Sequence, residues 1–151
     1  GEVYRFGREE KRPDIIIVND KLKTIIVFEA KDSLSKLSRK SQISKSAKVV
    51  LDMANLLAQI DNPYWGYRNK YKIINGLLWG AEEPSSKEKI KEIFMMYSEA
   101  FQSLDSSFET ISQIGVESQK IKDEINLNYY KSQDSYFLQQ LVISFQNFNS
   151  C

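Results

Sequence analysis

Three side chains near the start of the chain have types and spacing that suit shared chemistry: Asp14, Glu29 and Lys31. Glu29 and Lys31 are separated by one residue, so on an extended strand both side chains leave the same face. Asp14 follows Pro13 and opens a short apolar run, Asp14 to Val18, and a tight hairpin brings it beside Glu29. Two carboxylates offer the hard oxygen ligands that Mg2+ takes in octahedral geometry. The backbone carbonyl of Ala30, between Glu29 and Lys31, is a third oxygen. A metal so held lowers the pKa of a bound water and neutralises charge on a phosphate under attack. The ammonium of Lys31 then steadies the attacking water or the pentavalent transition state. The plainer alternative is an ion pair between Glu29 and Lys31 at a strand end. Charge placed at the end of Ile25-Ile26-Val27-Phe28 is costly unless partnered or metal-bound, which favours a site.

The composition narrows the chemistry further. The chain has 151 residues, enough for one domain around a single core, and contains no histidine. That excludes hydrolases whose base is an imidazole, zinc sites built on histidine, and nucleases that activate water with histidine. Hydrolysis by this chain needs carboxylates, lysine and a hard cation. The net charge of +1 carries no argument for nucleic acid, which has to rest on local clusters. Cys151 is the only cysteine and cannot form an internal disulfide. With no apolar run of about 18 residues and no signal-peptide pattern, a cytoplasmic location is expected.

The elements that have to position these residues are legible from periodicity. Glu2 to Phe6 alternates weakly as a strand, and a charged turn runs from Gly7 to Arg12. Asp14–Val18 and Thr24–Lys31 are apolar, β-branched strands joined by the turn Asn19-Asp20-Lys21-Leu22. They read as a hairpin in a sheet covered on both faces. Ile43, Ala47, Val50, Ala54, Leu57 and Ile60 predict a helix over about 41–60, and Tyr71–Trp79 predicts a further strand, parallel to its partner through a right-handed crossover. Ser85 with Glu88 has the pattern of a capping box. After it, Ile90, Phe94, Tyr97, Phe101, Leu104, Phe108 and Ile111 form a heptad stripe, Ile114, Ile121, Ile125 and Tyr129 continue a weaker helical pattern, and Phe137, Leu141, Phe145 and Phe148 mark a last amphipathic helix.

Pro13-Asp14 followed by Glu29-Ala30-Lys31 on the next strand resembles the signature of the PD-(D/E)XK, restriction-endonuclease-like nuclease superfamily. The resemblance spans about residues 2–80, roughly half of the chain, and includes the order of the helix and strand that follow. It implies an α/β fold with a restriction-endonuclease-like core, a mixed β-sheet flanked by α-helices. It also implies that Asp14 and Glu29 hold Mg2+, that Lys31 assists the water, and that cleavage leaves a 5′-phosphate. The family usually carries a helix before the first strand, often with a further metal-binding glutamate. That helix is expected to be missing here or supplied upstream, with Glu2, Glu9 and Glu10 as the available substitutes. A subgroup carries Gln-x-x-x-Tyr on the helix after the lysine; Gln42 stands in place, but Ser46 occupies the tyrosine position.

The expectation is therefore a Mg2+-dependent endonuclease acting on double-stranded DNA, the catalytic domain of a restriction enzyme. Repair or recombination nucleases of the same fold, and a non-catalytic DNA-binding or assembly module, are the alternatives. Lys36, Arg39, Lys40 and Lys45 cluster after the active strand, and Arg68 and Lys70 lie in the aromatic-basic segment Tyr64–Lys70; these are the candidate phosphate contacts. The heptad stripe serves either a homodimer seam or packing on the sheet, and its phenylalanines at every seventh position favour packing. The domain reading is a nuclease core over 1–104 and a C-terminal helical extension over 105–151. On that reading a fragment ending at Ser103 folds alone.

Overall fold

The structure, a computed structural model, describes residues 13–19, 21, 24–58, 72–104 and 112–131. The expected strand at 2–6, the substitutes Glu2, Glu9 and Glu10, the segment with Arg68 and Lys70, the stripe positions Phe108 and Ile111, and the last amphipathic helix lie outside the described residues.

Among the described residues, five strands form one mixed sheet in the order in which they occur in the chain: β1 (Ile15–Asn19), β2 (Thr24–Lys31), β3 (Lys72–Ala81), β4 (Ser112–Ile121) and β5 (Glu124–Lys131). The hairpin pair β1/β2 is antiparallel with Ile15 opposite Phe28. β2/β3 and β3/β4 are parallel, and β4/β5 is antiparallel. Between β2 and β3 lie a single helical turn, α1 (Leu34–Leu37), and α2 (Lys40–Ala58); α3 (Lys87–Leu104) connects β3 to β4. The hairpin, the helix and the parallel strand expected over 14–79 are thus present. The short α1, capped by the Ser33 hydroxyl, occupies a stretch whose serines and lysines carry no periodic signal.

Alternation along the strands divides the core in two. Ile25 and Val27 of β2 and Leu77 and Trp79 of β3 pack with Leu37, Ile43, Ala47 and Val50 of the first two helices, and with Ile90, Phe94, Tyr97 and Phe101 of α3. Ile26, Phe28, Ile74, Ile114 and Val116 are buried on the opposite face. By the same alternation Glu29 and Lys31 continue the row of Ile25 and Val27 and emerge on the helix-bearing face. The four stripe residues of α3 are used in this internal packing, so they form no free subunit seam. Gly115 makes room for it: a Cβ there would stand 2.9 Å from both the Phe94 and the Trp79 ring.

Two expectations are corrected. Residues 112–131 are not helical: the pattern through Ile114, Ile121, Ile125 and Tyr129 is a coincidence of spacing, and β4 and β5 extend the sheet instead of starting a C-terminal helical extension. They meet at a two-residue turn in which Lys122 takes a positive φ of 55°, the left-handed conformation that such hairpin turns require. The cap of α3 also shifts by one residue. The helix begins at Lys87, and the Ser86 hydroxyl accepts from the Lys89 amide at 3.2 Å. Ser85 is drawn away by Glu117, as described below.

Candidate active site

The acidic pair forms where β1 stops and β2 continues. β1 pairs with β2 only as far as Ile15 opposite Phe28, so Ala30 lies beyond the ladder. Its amide instead donates to the Asp14 Oδ2 atom at 2.9 Å. In a strand, a residue's N–H and C=O point to the same edge; the Ala30 carbonyl therefore faces the side on which Asp14 stands. Buried Pro13 anchors the chain just before exposed Asp14.

Burial, the neighbouring charge of Asp14 and a hydrogen bond with Asp14 together push the Glu29 carboxyl up to about 7, against the opposing influence of Lys31 and Lys45. Two carboxyls that share a hydrogen bond are an unfavourable pair when both are ionised, and a divalent cation between them removes the conflict. The Lys31 ammonium lies 3.8 Å from Glu29 Oε1, with 35% of its side chain exposed against 13% for Glu29. This is a loose, half-open ion pair at a strand end, and the lysine remains accessible to a ligand.

The donor set suits a hard cation. Asp14, Glu29 and the Ala30 carbonyl are all oxygen donors, the kind Mg2+ accepts, with water completing its shell. Among the described residues no cluster of three or more acidic, cysteine or histidine side chains is present. Among the described residues, the metal would therefore rest on two carboxylates.

Of the basic candidates, Lys36 is committed to Asp32 at 2.7 Å. Arg39 and Lys40 are exposed where α2 begins. Lys45 is exposed one turn further on and acts electrostatically on Glu29. Arg68 and Lys70 fall outside the described residues. Gln42, recognised from its spacing, donates through Nε2 to the Ser46 hydroxyl at 2.8 Å.

Sequence reasoning assigned Tyr97 to an apolar stripe and missed its polar end. The side chain is fully buried, and its hydroxyl donates to the Leu37 carbonyl at 2.8 Å. Burial raises its pKa above the usual tyrosine value, a hydrogen bond with Ser46 opposes the rise, and the charge of Glu29 adds to it. Tyr97 thus ties α1, α2 and α3 together. The signal was its hydroxyl, the only polar tip among the buried stripe positions of α3.

Glu117 was also missed. It is buried on β4 and accepts from Trp79 Nε1 at 2.8 Å, from the Ser85 amide at 3.1 Å and from the Ser85 hydroxyl. Burial raises its pKa, but hydrogen bonds from Ser85, Trp79 and Asn128 outweigh that and hold the carboxyl below its ordinary value. The strand register runs Lys31, Trp79, Glu117 across the sheet, so the Trp79 position separates this carboxylate from Lys31. Its role is to clamp the start of α3 to β4.

The chain matches no known protein family, and no curated protein or solved structure matches it either.

Proposed function

We propose that this chain is a Mg2+-dependent endonuclease that hydrolyses phosphodiester bonds of double-stranded DNA, on the plan of a restriction-enzyme catalytic domain with a restriction-endonuclease-like core. The observation that carries the reading is the Asp14–Glu29 carboxyl pair with Lys31 beside it, at the end of a β-hairpin whose second strand is followed by a helical connection into a parallel strand.

Asp14, Glu29 and the Ala30 carbonyl would hold the ion. When bound, it supplies a positive charge that acidifies water and offsets charge on the phosphate. The chain's own residues do the rest. The Ala30 amide fixes the Asp14 carboxylate, and the packing of β2 fixes Glu29. Lys31, half-exposed, donates hydrogen bonds to the attacking water or to the non-bridging oxygens as charge builds there. In the overall hydrolysis the water oxygen bonds to phosphorus, the P–O bond to the leaving sugar breaks, and one water proton ends on the released hydroxyl.

The test is nicking of supercoiled plasmid by the purified chain with Mg2+, with EDTA, and in the Glu29→Gln variant. Cleavage that requires both the metal and Glu29 is expected. A plasmid that is bound but never cut would instead place the chain among non-catalytic DNA-binding modules.

A further inference from the structure

Among the described residues, β5 closes one edge of the sheet and pairs with β4 alone. Natural sheets protect an outer strand by keeping it short, by placing proline or charge in it, or by a bulge that twists it away. β5 does none of these. It is eight residues long and pairs one for one with β4, from Ile121 opposite Glu124 to Ile114 opposite Lys131, without a bulge. Between Glu124 and Lys131 its sequence, Ile-Asn-Leu-Asn-Tyr-Tyr, contains neither proline nor charge. Ile125 is 72% exposed and Leu127 36%.

The turn fixes which backbone groups face outward. Ile121 and Glu124 close a two-residue turn, so their pair is hydrogen-bonded. Along an antiparallel ladder, hydrogen-bonded pairs alternate with pairs that are not. Ile125 opposite Lys120 and Leu127 opposite Ser118 are of the second kind, so their N–H and C=O groups point away from β4. Their side chains continue the sheet face of Ile114 and Val116, opposite the described helices. An outward backbone edge and an exposed apolar row thus coincide on the same two residues.

We propose that β5 pairs antiparallel with β5 of a second copy of this chain, about a two-fold axis at Asn126 perpendicular to the sheet. Ile125 of each copy then stands opposite Leu127 of the other. Each such pair exchanges both of its backbone hydrogen bonds, and the two apolar side chains cover one another. On the other face Asn126 meets Asn126, and Glu124 meets Asn128. Apolar stands against apolar, polar against polar, and no like charges meet. Moving the axis to Ile125 would instead set Leu127 against Asp123. This self-complementarity is what an interface between identical copies requires, and a strand from an unrelated protein would not call for it. The proposal concerns assembly and holds whatever reaction the acidic pair performs.

Sedimentation equilibrium of the full chain over a range of concentrations tests it. A strand pair is a small contact, so a weak dimer that dissociates on dilution is expected. Ile125→Lys and Leu127→Glu are each expected to weaken it about 100-fold, since the two-fold alters two places at once. Both side chains are exposed, so the fold should be kept. Met95→Lys, at an exposed apolar position of α3, is the control and should leave the dimer intact. An equimolar mixture of the Ile125→Lys and Leu127→Glu chains should associate again, because the new ammonium then faces the new carboxylate. Hydrogen exchange on the unaltered chain gives an independent reading: the Ile125 and Leu127 amides should gain protection as concentration rises.

A chain that stays monomeric at every concentration overturns the proposal. So does a dimer that survives Ile125→Lys, whose seam must lie elsewhere, or one that Met95→Lys abolishes equally. Failure of the mixed variants to associate overturns the pairing of Ile125 with Leu127. Masses beyond two chains would show an open stack and overturn the closed two-fold.

Discussion

The Asp14 carboxylate accepts a hydrogen bond from the backbone amide of Ala30, sixteen residues further along the chain, at 2.9 Å. This bond replaces the ladder contact that β1 would have made had it continued, and it locks one carboxylate against the residue next to the other. The Asp14 half of the pair is consequently set by a backbone hydrogen bond, and the Glu29 half by the packing of β2.

Asp14→Ala and Glu29→Ala are each expected to abolish Mg2+-dependent cleavage and to weaken metal binding, since each removes one of two carboxylates. Lys31→Ala is expected to abolish cleavage with metal binding largely intact. Because the Lys31–Glu29 pair is long and partly exposed, its loss should cost no more than about 1 kcal/mol of stability. A Lys31→Ala variant that unfolds, or that still cuts at the wild-type rate, would assign the lysine a structural role.

The raised Glu29 pKa has a definite signature in pH. Between its ordinary value of 4.5 and about 7, the folded metal-free chain keeps a proton that the unfolded chain has lost. The stability from this group is full below the lower value and falls as pH rises through the upper one, by about 1–2 kcal/mol after solvent screening. Thermal melts in EDTA should show this decline, and Glu29→Gln should remove it. Mg2+ should raise the melting temperature well above pH 7 and much less below it, because a proton then competes for the ligand. Equal Mg2+ stabilisation on both sides of pH 7 would rule Glu29 out as a ligand.

Glu117 should behave in the opposite sense. Its pKa is depressed, so its contribution is present above the ordinary carboxyl value and is lost as pH falls through the lower folded value. Glu117→Gln leaves the donors of Trp79 and Ser85 facing an amide, and should destabilise the fold by about 1.5–3 kcal/mol. Urea titrations measure this, and an unchanged midpoint would show that the clamp on α3 contributes nothing.

Tyr97→Phe keeps the ring in its pocket and orphans the Leu37 carbonyl, for an expected loss of about 1–2 kcal/mol. Urea titration of this variant measures the loss, and an unchanged midpoint would show that the hydroxyl contributes nothing to stability.

A fragment ending at Ser103 is now expected to fail. It would strip β4 from β3 and uncover Trp79, Ile74 and the Phe94 contact with Gly115. Absence of a cooperative melt in that fragment is the expected result. A sharp two-state transition would show that the first three strands suffice.

Most of the first half was legible because its apolar runs are long and its chemistry is concentrated. Ile15 to Val18 and Thr24 to Phe28 read as strands, and Asp14, Glu29 and Lys31 stood out against them. The second half misled for a physical reason. β4 turns Gln113, Glu117 and Gln119 inward, where hydrogen bonds satisfy them: Gln113 reaches the Phe94 carbonyl and Ser98, and Gln119 accepts from Asn128. A strand buried on both faces, with polar side chains on one and only Ile114 and Val116 on the other, lacks the apolar run that marks a buried strand, and its isoleucines then fall at helical distances by chance. In β5 the alternation of Ile125, Leu127 and Tyr129 was present but muted, since Ile125 is 72% exposed. Lys45 and Tyr97 could be named from sequence, but their electrostatic coupling to Glu29 arises only from how the helices pack.

The sheet lists its strands in the order of synthesis, and this bears on how the molecule is made. Each strand finds its neighbour in the segment immediately before it, so no early strand has to wait for a late one to be inserted between it and its partner. Short closures form sooner than long ones, and domains emerging from a ribosome begin to organise from the amino-terminal side. The hairpin that joins Asp14 to Ala30 can therefore close while α3 is still being translated. The later strands then add one by one to a growing edge, and the Asp14–Glu29 carboxyl pair belongs to the first of the described strand pairs to close.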